Sequence, residues 1–432
     1  MKLSIQKDQY GKLILIGTTI LMWLLLLILF RTYGYNKTWQ LWNIPTTKVP
    51  FLDFRLIPGS AESFRHGYEP SVENPYDPQQ RIFNYPAFWR LFFYTGITEA
   101  DTVWISVCMI VLFFAGVILF PKNLSIAGAI GMLFVIFSPA AMLLYERGNV
   151  DLIVFFICAM IVIAESYSAS LTASLIAFAA IVKMFPFFGI TVLFKEAKNK
   201  FWLLFGICFA VLVTYVILTW SSVKASWNTT MRGDGLSYGT NVFVTRYGAV
   251  ISRVFQQWFT PHYTDLILKY GPLMTALFLL LLVALLSFPN TQQLDSSSER
   301  QIAAFRMGAS VYVGTFLLGN NFDYRLAFLI FAVPQLIEWL HSTNKTCRTL
   351  AWISTILVLL SCWHLWIVEI PMEPIFHSIA KSRKFWIVLD ETFNWSLFLC
   401  FAYLLFASTP DWLKSPLRRR LQKRISISSA SS

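Results

Sequence analysis

Long apolar runs dominate the chain, and they constrain its fold more than any other feature. The first, Leu13 to Phe30, is about 18 residues long and has no small-residue cleavage site after it, which favours a retained spanning helix over a signal peptide. Of all residues, 56% are hydrophobic and only 13% are charged, a composition that excludes an ordinary soluble domain. We therefore predict an all-α, polytopic integral membrane protein surrounded by membrane lipids.

The net charge of +12 does not indicate a nucleic-acid partner, because the basic residues cluster at the edges of the apolar runs. Lysines precede the first run and a basic tail follows the last, so both termini are predicted to lie in the cytoplasm. Counting the runs predicts about ten crossings in a membrane domain of residues 1–412, followed by a cytoplasmic tail of residues 413–432. The cell inner or plasma membrane is the expected location.

The run from Ala169 to Phe194 differs from the others because Lys183-Met184-Phe185-Pro186 interrupts it. Each half is too short to cross about 30 Å at about 1.5 Å per residue. Lys195, Lys198 and Lys200 follow and indicate a return to the cytoplasmic side. The pattern predicts a broken or re-entrant hairpin with Lys183 at its tip, where a lysine usually has an anionic partner.

The main polar region lies between the first two apolar runs, at residues 31–100, and is predicted to be a long outer loop carrying the functional site. Its polar and acidic stretch runs from Phe51 to Arg90 and contains Asp53. A short amphipathic helix is expected near Phe88 to Tyr94. The other polar clusters are predicted to face the same side; they are Glu146 to Asp151, Arg232 to Asp234 and Asn320 to Arg325.

Several short motifs then occur in a characteristic order. They are Asp53-Phe54, Gly67, Asn74-Pro75-Tyr76, Tyr85-Pro86, Gly148-Asn149 and Lys183-Met184-Phe185-Pro186. In this order the chain resembles glycosyltransferase family 87, whose members have the GT-C fold and use polyprenyl-phosphate-linked sugars, typically mannose. The resemblance covers about the first half of the chain. Ala87 stands where the family has a second proline, and Gly148-Asn149-Val150-Asp151 where it often has Gly-Gln-Val-Asn, so sugar and acceptor stay open.

The resemblance implies an inverting, metal-independent transfer from a polyprenyl-phosphate sugar to an extracytoplasmic glycolipid or glycan. A loop carboxylate is then needed to take the proton of the acceptor hydroxyl, and Asp53 is the candidate. Fixed cations would stabilise the departing lipid phosphate. The substrate-binding candidates are Lys183, Arg147, Asn149, Asp151, Tyr85, Asp323 and Arg325. No cofactor is expected, and neither the six cysteines nor any other residues show metal-ligand spacing.

Each assignment has a structural alternative. Asp53 could form an Asx turn, and Asn149 with Asp151 could cap the helix that follows them. Lys183 could extend toward an interface, and Arg325 could form an ion pair with Asp323 or Asp390.

Two other functions fit parts of the pattern. A lipid-linked sugar transporter or flippase would also need broken helices and buried cations. The long outer loop with its acidic residue favours the enzyme, because a transporter distributes its charges along a two-sided pathway. A non-catalytic assembly subunit would leave Asp53 without a role.

Overall fold

The structure is a computed structural model that describes residues 2–47, 49–229, 236–287, 298–369 and 383–414. Within these ranges it is almost wholly helical, with a single antiparallel pair of two-residue strands, β1 Ser237–Tyr238 and β2 Asn321–Phe322. The described α-helices, α1 to α16 in chain order, are Lys2–Tyr33, Tyr35–Gln40, Leu52–Arg65, Thr102–Leu119, Ile126–Ile136, Pro139–Arg147, Asp151–Ala164, Ala169–Val182, Lys198–Leu218, Trp220–Thr229, Val242–Phe255, Pro261–Ser287, Glu299–Leu317, Val333–Trp339, Lys345–Glu369 and Arg383–Ala407. The 3-10 helices are Ala87–Tyr94, Glu99–Asp101, Phe185–Lys195 and Asp323–Phe331.

Six of the described helices are long and apolar enough to cross a membrane. They lie in α1, α4 with the 3-10 turn before it, α9, α12, α15 and α16. A seventh is counted if α5 and α6, which bend by 54° at their junction, form one broken span. The all-α class is confirmed and the helices indicate a membrane protein, but the predicted count of about ten crossings is not supported.

The other apolar runs that were predicted to cross the membrane form helices that are short, interrupted or charged. The α7 helix has 14 residues and so extends only about 21 Å, less than an apolar bilayer core of about 30 Å. The α13 helix is longer but carries Glu299, Arg300 and Arg306. The predicted span at 326–340 is a 3-10 helix followed by the seven-residue α14. In the described residues, an apolar run in the sequence is therefore not always a helix with the length and composition of a span.

The predicted hairpin is confirmed in its main feature, the break at Lys183. The α8 helix ends at Val182, Lys183 has an extended backbone, and the 3-10 helix packs back against α8. Pro186 sits in the first turn of that 3-10 helix, where its missing N–H costs nothing. At its far end, Lys195 pairs with Glu165 at 2.8 Å.

The interior of the molecule is aromatic and centres on α13 and the two longer 3-10 helices. The α13 helix packs against both of them, and α4 packs against α7. Phe155 of α7 stacks on Phe331 at 4.4 Å and also meets Phe113 of α4 at 4.4 Å between ring centroids. These rings are fully buried, and each ring pair adds about 0.5–1.5 kcal/mol beyond the area that it buries. The short helices next to the polar site are thus held by a tight apolar layer.

The region predicted as an outer loop contains ordered helices, among them α2, α3 and the 3-10 helix Ala87–Tyr94. The 3-10 helix Ala87–Tyr94 agrees with the amphipathic helix expected near residues 88–94. Its Trp89 donates a hydrogen bond to the carbonyl of Val182 (3.0 Å), which ties it to the hairpin tip. The α3 helix was not predicted; it forms because Phe54, Ile57 and Ala61 recur at helical spacing and bury one face. Asp53 lies in its first turn.

The side of the membrane on which each loop lies can be tested by cysteine labelling. Glu73 and Lys198 are both exposed, and about 26 Å of the α9 helix separates Lys198 from Tyr215, whose hydroxyl accepts a hydrogen bond from the backbone N–H of Phe88. In a background with Cys108 replaced by serine, we expect Glu73→Cys to react with an impermeant thiol reagent added outside intact cells. Lys198→Cys should react only after permeabilisation, as the lysine distribution requires. Equal labelling of both positions from outside would contradict the predicted orientation.

Candidate functional site

A cavity of about 490 Å³ lies where α3, the hairpin tip and the chain after β2 meet. Its volume is within the range of small-molecule sites in proteins. Its wall combines one carboxylate, three cations, several amides and two tyrosines. The polar lining residues used below are Asp53, Arg81, Tyr85, Asn149, Lys183, Tyr324 and Arg325.

The start of α3 fixes the position of Asp53. The preceding residue, Phe51, has a left-handed backbone (φ 57°), and its N–H donates to the carbonyl of Glu146 at 3.2 Å. A left-handed bulky residue is strained by about 1–3 kcal/mol, and such strain persists only where the surroundings hold it. This hydrogen bond anchors the first turn of α3 against the end of α6.

Gly148 explains how the two segments come so close. It caps α6 with a left-handed backbone (φ 57°), and a Cβ added there would lie 2.9 Å from both the Cβ of Phe51 and the Oγ of Ser106. Only glycine tolerates both conditions without displacement. The next residue, Asn149, therefore faces Asp53 directly.

The Asp53 carboxylate meets an amide and a cation. Asn149 Nδ2 donates to its Oδ2 at 2.7 Å, and Arg81 Nη1 lies 3.8 Å from its Oδ1. The Tyr85 hydroxyl donates to the backbone carbonyl of Asp53 at 3.2 Å. Burial, and then the Asp53 charge, raise the pKa of Tyr85 well above its usual value, so this hydroxyl stays protonated. The Asp53 side chain is 23% exposed and so remains reachable from the cavity.

Arg81 is a lining residue that the sequence reasoning missed. Two of its nitrogens donate to Asp77, at 3.1 and 2.7 Å, and Nη2 also donates to the carbonyl of Leu52 at 2.6 Å. Burial alone would lower the pKa of Arg81, but the ion pair with fully buried Asp77 outweighs this effect and raises it. The one available signal was a lone arginine four residues after an aspartate in a loop, which is too common to select.

Asp151 joins the two remaining cations of the cavity. Its side chain has no exposure; Lys183 Nζ lies 2.5 Å from Oδ1 and Arg325 Nε donates to Oδ2 at 3.2 Å. The anionic partner expected for Lys183 is therefore Asp151. The alternative pairing of Arg325 with Asp323 or Asp390 is wrong, because Arg325 instead contacts Asp151 and the side-chain oxygen of Asn321.

These contacts leave the two parts of the wall with opposite charge. Lys183 and Arg325 share the single carboxylate of Asp151, so one positive charge on this part of the wall is not neutralised. Arg81 is matched by Asp77, which leaves the charge of Asp53 in excess on the other part. The cavity thus offers an anion-binding wall beside a carboxylate that can accept a proton.

Three predicted substrate-binding residues do not line the cavity: Arg147, Asp323, and Asp151, which lies behind it. Arg147 is paired with Glu146 at 3.3 Å and donates to the carbonyl of Pro45 at 3.1 Å, because the end of α6 points it toward the chain before α3. Asp323 is fully buried on the other side of its segment, with Oδ2 3.4 Å from His364 Nε2. Burial raises the pKa of Asp323, and the nearby His364 opposes this effect. The remaining predicted residues do meet at this site: Asp53, Tyr85, Asn149, Lys183 and Arg325 line it, and Asp151 lies behind it.

The residues at 232–234, predicted on the same side, lie outside the described part of the chain. Within the described ranges no group of three or more His, Cys, Asp or Glu residues is arranged to hold a metal ion. Comparisons of the chain with models of protein families, with curated proteins and with solved structures found no match.

The shared carboxylate of Asp151 makes a stability prediction. Asp151→Asn leaves two largely buried cations without their counter-charge, and breaking such a pair costs about 3–5 kcal/mol. We expect a clear fall in the melting temperature of the purified protein. Adding Lys183→Met to Asp151→Asn should recover part of the loss, because one unpaired cation is removed.

The control is Glu69→Gln, which breaks a surface pair with Arg90 in which Glu69 is 46% exposed. It should change the free energy of unfolding by less than about 1 kcal/mol. Equal melting of wild type and Asp151→Asn would contradict the central role of this carboxylate.

Proposed function

We propose that the chain is a GT-C-type integral membrane glycosyltransferase, similar to glycosyltransferase family 87. In this proposal it transfers a hexosyl residue, with mannosyl as the first candidate, from a polyprenyl-phosphate sugar to an extracytoplasmic glycolipid or glycan. One observation carries the proposal: the Asp53 carboxylate and the Lys183–Arg325 cation pair line the same cavity. The motif order in the first half of the chain supplies the substrate class.

The proposed reaction is one displacement at the anomeric carbon. The acceptor hydroxyl oxygen forms a bond to that carbon while its proton passes to the Asp53 carboxylate. The bond between the anomeric carbon and the phosphate oxygen breaks, and its electron pair leaves with the lipid phosphate. Lys183 and Arg325 would stabilise the growing phosphate charge, because their shared carboxylate leaves one positive charge in excess. Attack from the face opposite the leaving group inverts the anomeric centre.

A lipid-linked sugar flippase is the second candidate, favoured by the 54° bend between α5 and α6 and by the break at Lys183. Broken helices of this kind often bind ligands in transporters. The two functions differ in one measurable respect, since a flippase moves the sugar lipid without forming a new glycosidic bond.

The general-base role is tested with Asp53→Asn. This change keeps the size of the side chain and its ability to accept the hydrogen bond from Asn149, but removes its ability to take a proton. We expect turnover with radiolabelled polyprenyl-phosphate-mannose and acceptor lipid to fall about 10²-fold or more, with donor affinity retained. Glu62→Gln is the matched control on the same helix, since Glu62 pairs only with surface residues Arg65 and His66.

Near-normal transfer by Asp53→Asn would show that Asp53 is not the general base. Movement of the sugar lipid across vesicles by wild type, with no transfer to any acceptor, would favour the flippase.

The phosphate role of Lys183 is tested with Lys183→Met, which keeps the long apolar stem and removes the charge. We expect donor affinity in nanodiscs to fall about 10- to 100-fold, as for the loss of one charge-assisted hydrogen bond, and turnover to fall as well. Lys195→Met is the control: this lysine lies on the same hairpin and also pairs with a carboxylate, but far from the cavity. Unchanged donor affinity with a lowered melting temperature would show that Lys183 only stabilises the fold through its pair with Asp151.

A further inference from the structure

Asn149 occupies the space between the carboxylate and the nearest cation of the cavity. The residue is 3% exposed, and its side-chain amide makes four hydrogen bonds. Nδ2 donates to Asp53 Oδ2 (2.7 Å) and to the Tyr324 hydroxyl (3.2 Å). Oδ1 accepts from the backbone N–H of Asp151 (3.0 Å) and from Lys183 Nζ (3.3 Å). Both hydrogens and both lone pairs of the amide are therefore used.

The orientation of this amide is fixed by its partners. The backbone N–H of Asp151 and the ammonium of Lys183 can only donate, so the amide oxygen must face them. The NH2 group then faces Asp53 and the Tyr324 oxygen. Since that oxygen accepts from Asn149, the hydroxyl hydrogen of Tyr324 is free to point elsewhere.

From this arrangement we propose that Asn149 is a positioning residue that holds the Asp53 carboxylate apart from the Lys183 ammonium. This inference rests on the proposed function. A direct ion pair between the two would stabilise the carboxylate and weaken it as a proton acceptor. It would also take from the anion-binding wall one of its two cations. The amide prevents both effects, because it gives the carboxylate a neutral donor and the ammonium a neutral acceptor.

The neighbouring segments place Asn149 for this role. Gly148, whose left-handed turn packs against Phe51, sets the approach of α6 to α3. Asp151, two residues later, takes the ion pair with Lys183 that Asp53 would otherwise compete for. A residue that merely caps α7 would need the contact to the Asp151 N–H and none of the other three. The capping alternative therefore explains only part of the geometry.

Two variants test the proposal. Asn149→Ala removes the amide contacts to Asp53 and to Lys183, and we expect turnover to fall about tenfold or more while donor affinity falls less than in Lys183→Met. Asn149→Asp is isosteric but places a second carboxylate beside Asp53, where two such groups share a proton. The acid limb of its pH–rate profile should move to higher pH than in wild type, because the pair loses its last proton later. The other titratable groups that interact electrostatically with Asp53 are unchanged in both variants; they are Arg81, Tyr85, Glu146, Lys183 and Tyr324.

A remote buried amide supplies the control. Asn344 is 6% exposed and accepts from the backbone N–H of Cys347 at 3.1 Å, much as Asn149 accepts from Asp151. Asn344→Ala should lower the melting temperature without changing turnover or the pH profile. If Asn149→Ala behaves like Asn344→Ala, Asn149 is only structural. If it weakens donor binding as strongly as Lys183→Met and leaves turnover unchanged, it is a substrate contact; either result overturns the proposal.

A readout without turnover separates this inference from the proposed reaction. Infrared spectra of the purified protein show a band for protonated carboxyl groups, and the part that disappears in Asp53→Asn belongs to Asp53. As the pH is lowered, we expect the Asp53 part of this band to appear at a higher pH in Asn149→Asp than in wild type. An unchanged midpoint would overturn the role of Asn149 even if transfer is observed. A shifted midpoint in a protein that transfers no sugar would support the role of Asn149 and refute the glycosyltransferase.

Discussion

The wall of the polar cavity depends on the ion pairs of the Asp151 carboxylate. This side chain has no exposure, yet it meets Lys183 from the hairpin tip and Arg325 from the 3-10 helix after β2. Charges in a region of low dielectric are costly unless each is paired, so neither segment can shift without leaving a buried charge uncompensated. The start of α7, the end of α8 and the start of the Asp323–Phe331 helix are thereby held at one point. The hydrogen bond from Trp89 to the carbonyl of Val182 satisfies the backbone where the hairpin breaks.

The same arrangement recurs on the α3 side of the cavity. Asp77 is fully buried behind Arg81, as Asp151 is buried behind Lys183 and Arg325. In both cases a carboxylate without exposure holds a cation whose other face lines the cavity. Asp53 differs from these two acids because it is partly exposed, keeps a neutral amide as its nearest donor and is 3.8 Å from its nearest cation. This division of roles leaves one carboxylate available for chemistry and two for structure.

The sequence predicted the parts of this arrangement that depend on composition and order along the chain. Hydropathy gave the all-α membrane class, and the interruption at Lys183 gave the broken hairpin. The sequence failed to predict pairings that depend on which segments meet in space: Arg325 has an acidic neighbour in sequence, Asp323, but its partner Asp151 lies 174 residues away. The α3 helix is not predicted, because a polar segment between two apolar runs indicates a loop, although the apolar residues of this segment have helical spacing. The predicted count of spans is not supported, because several apolar runs form helices that are too short or too charged to have the length and composition of a span.

The segment from Asn321 to Arg325 shows why contacts remote in sequence define the site. Asn321 of β2 pairs with Tyr238 of β1 and donates to the carbonyl of Thr315 (2.5 Å). Asp323 turns away to His364 of α15, and Arg325 turns back to Asp151 of α7. Alternate residues thus contact different elements, so the side chain of Arg325 enters the cavity only because its neighbours are fixed elsewhere. The late half of the chain, where no motif of the resemblance lies, therefore completes the anion-binding wall that the first half begins.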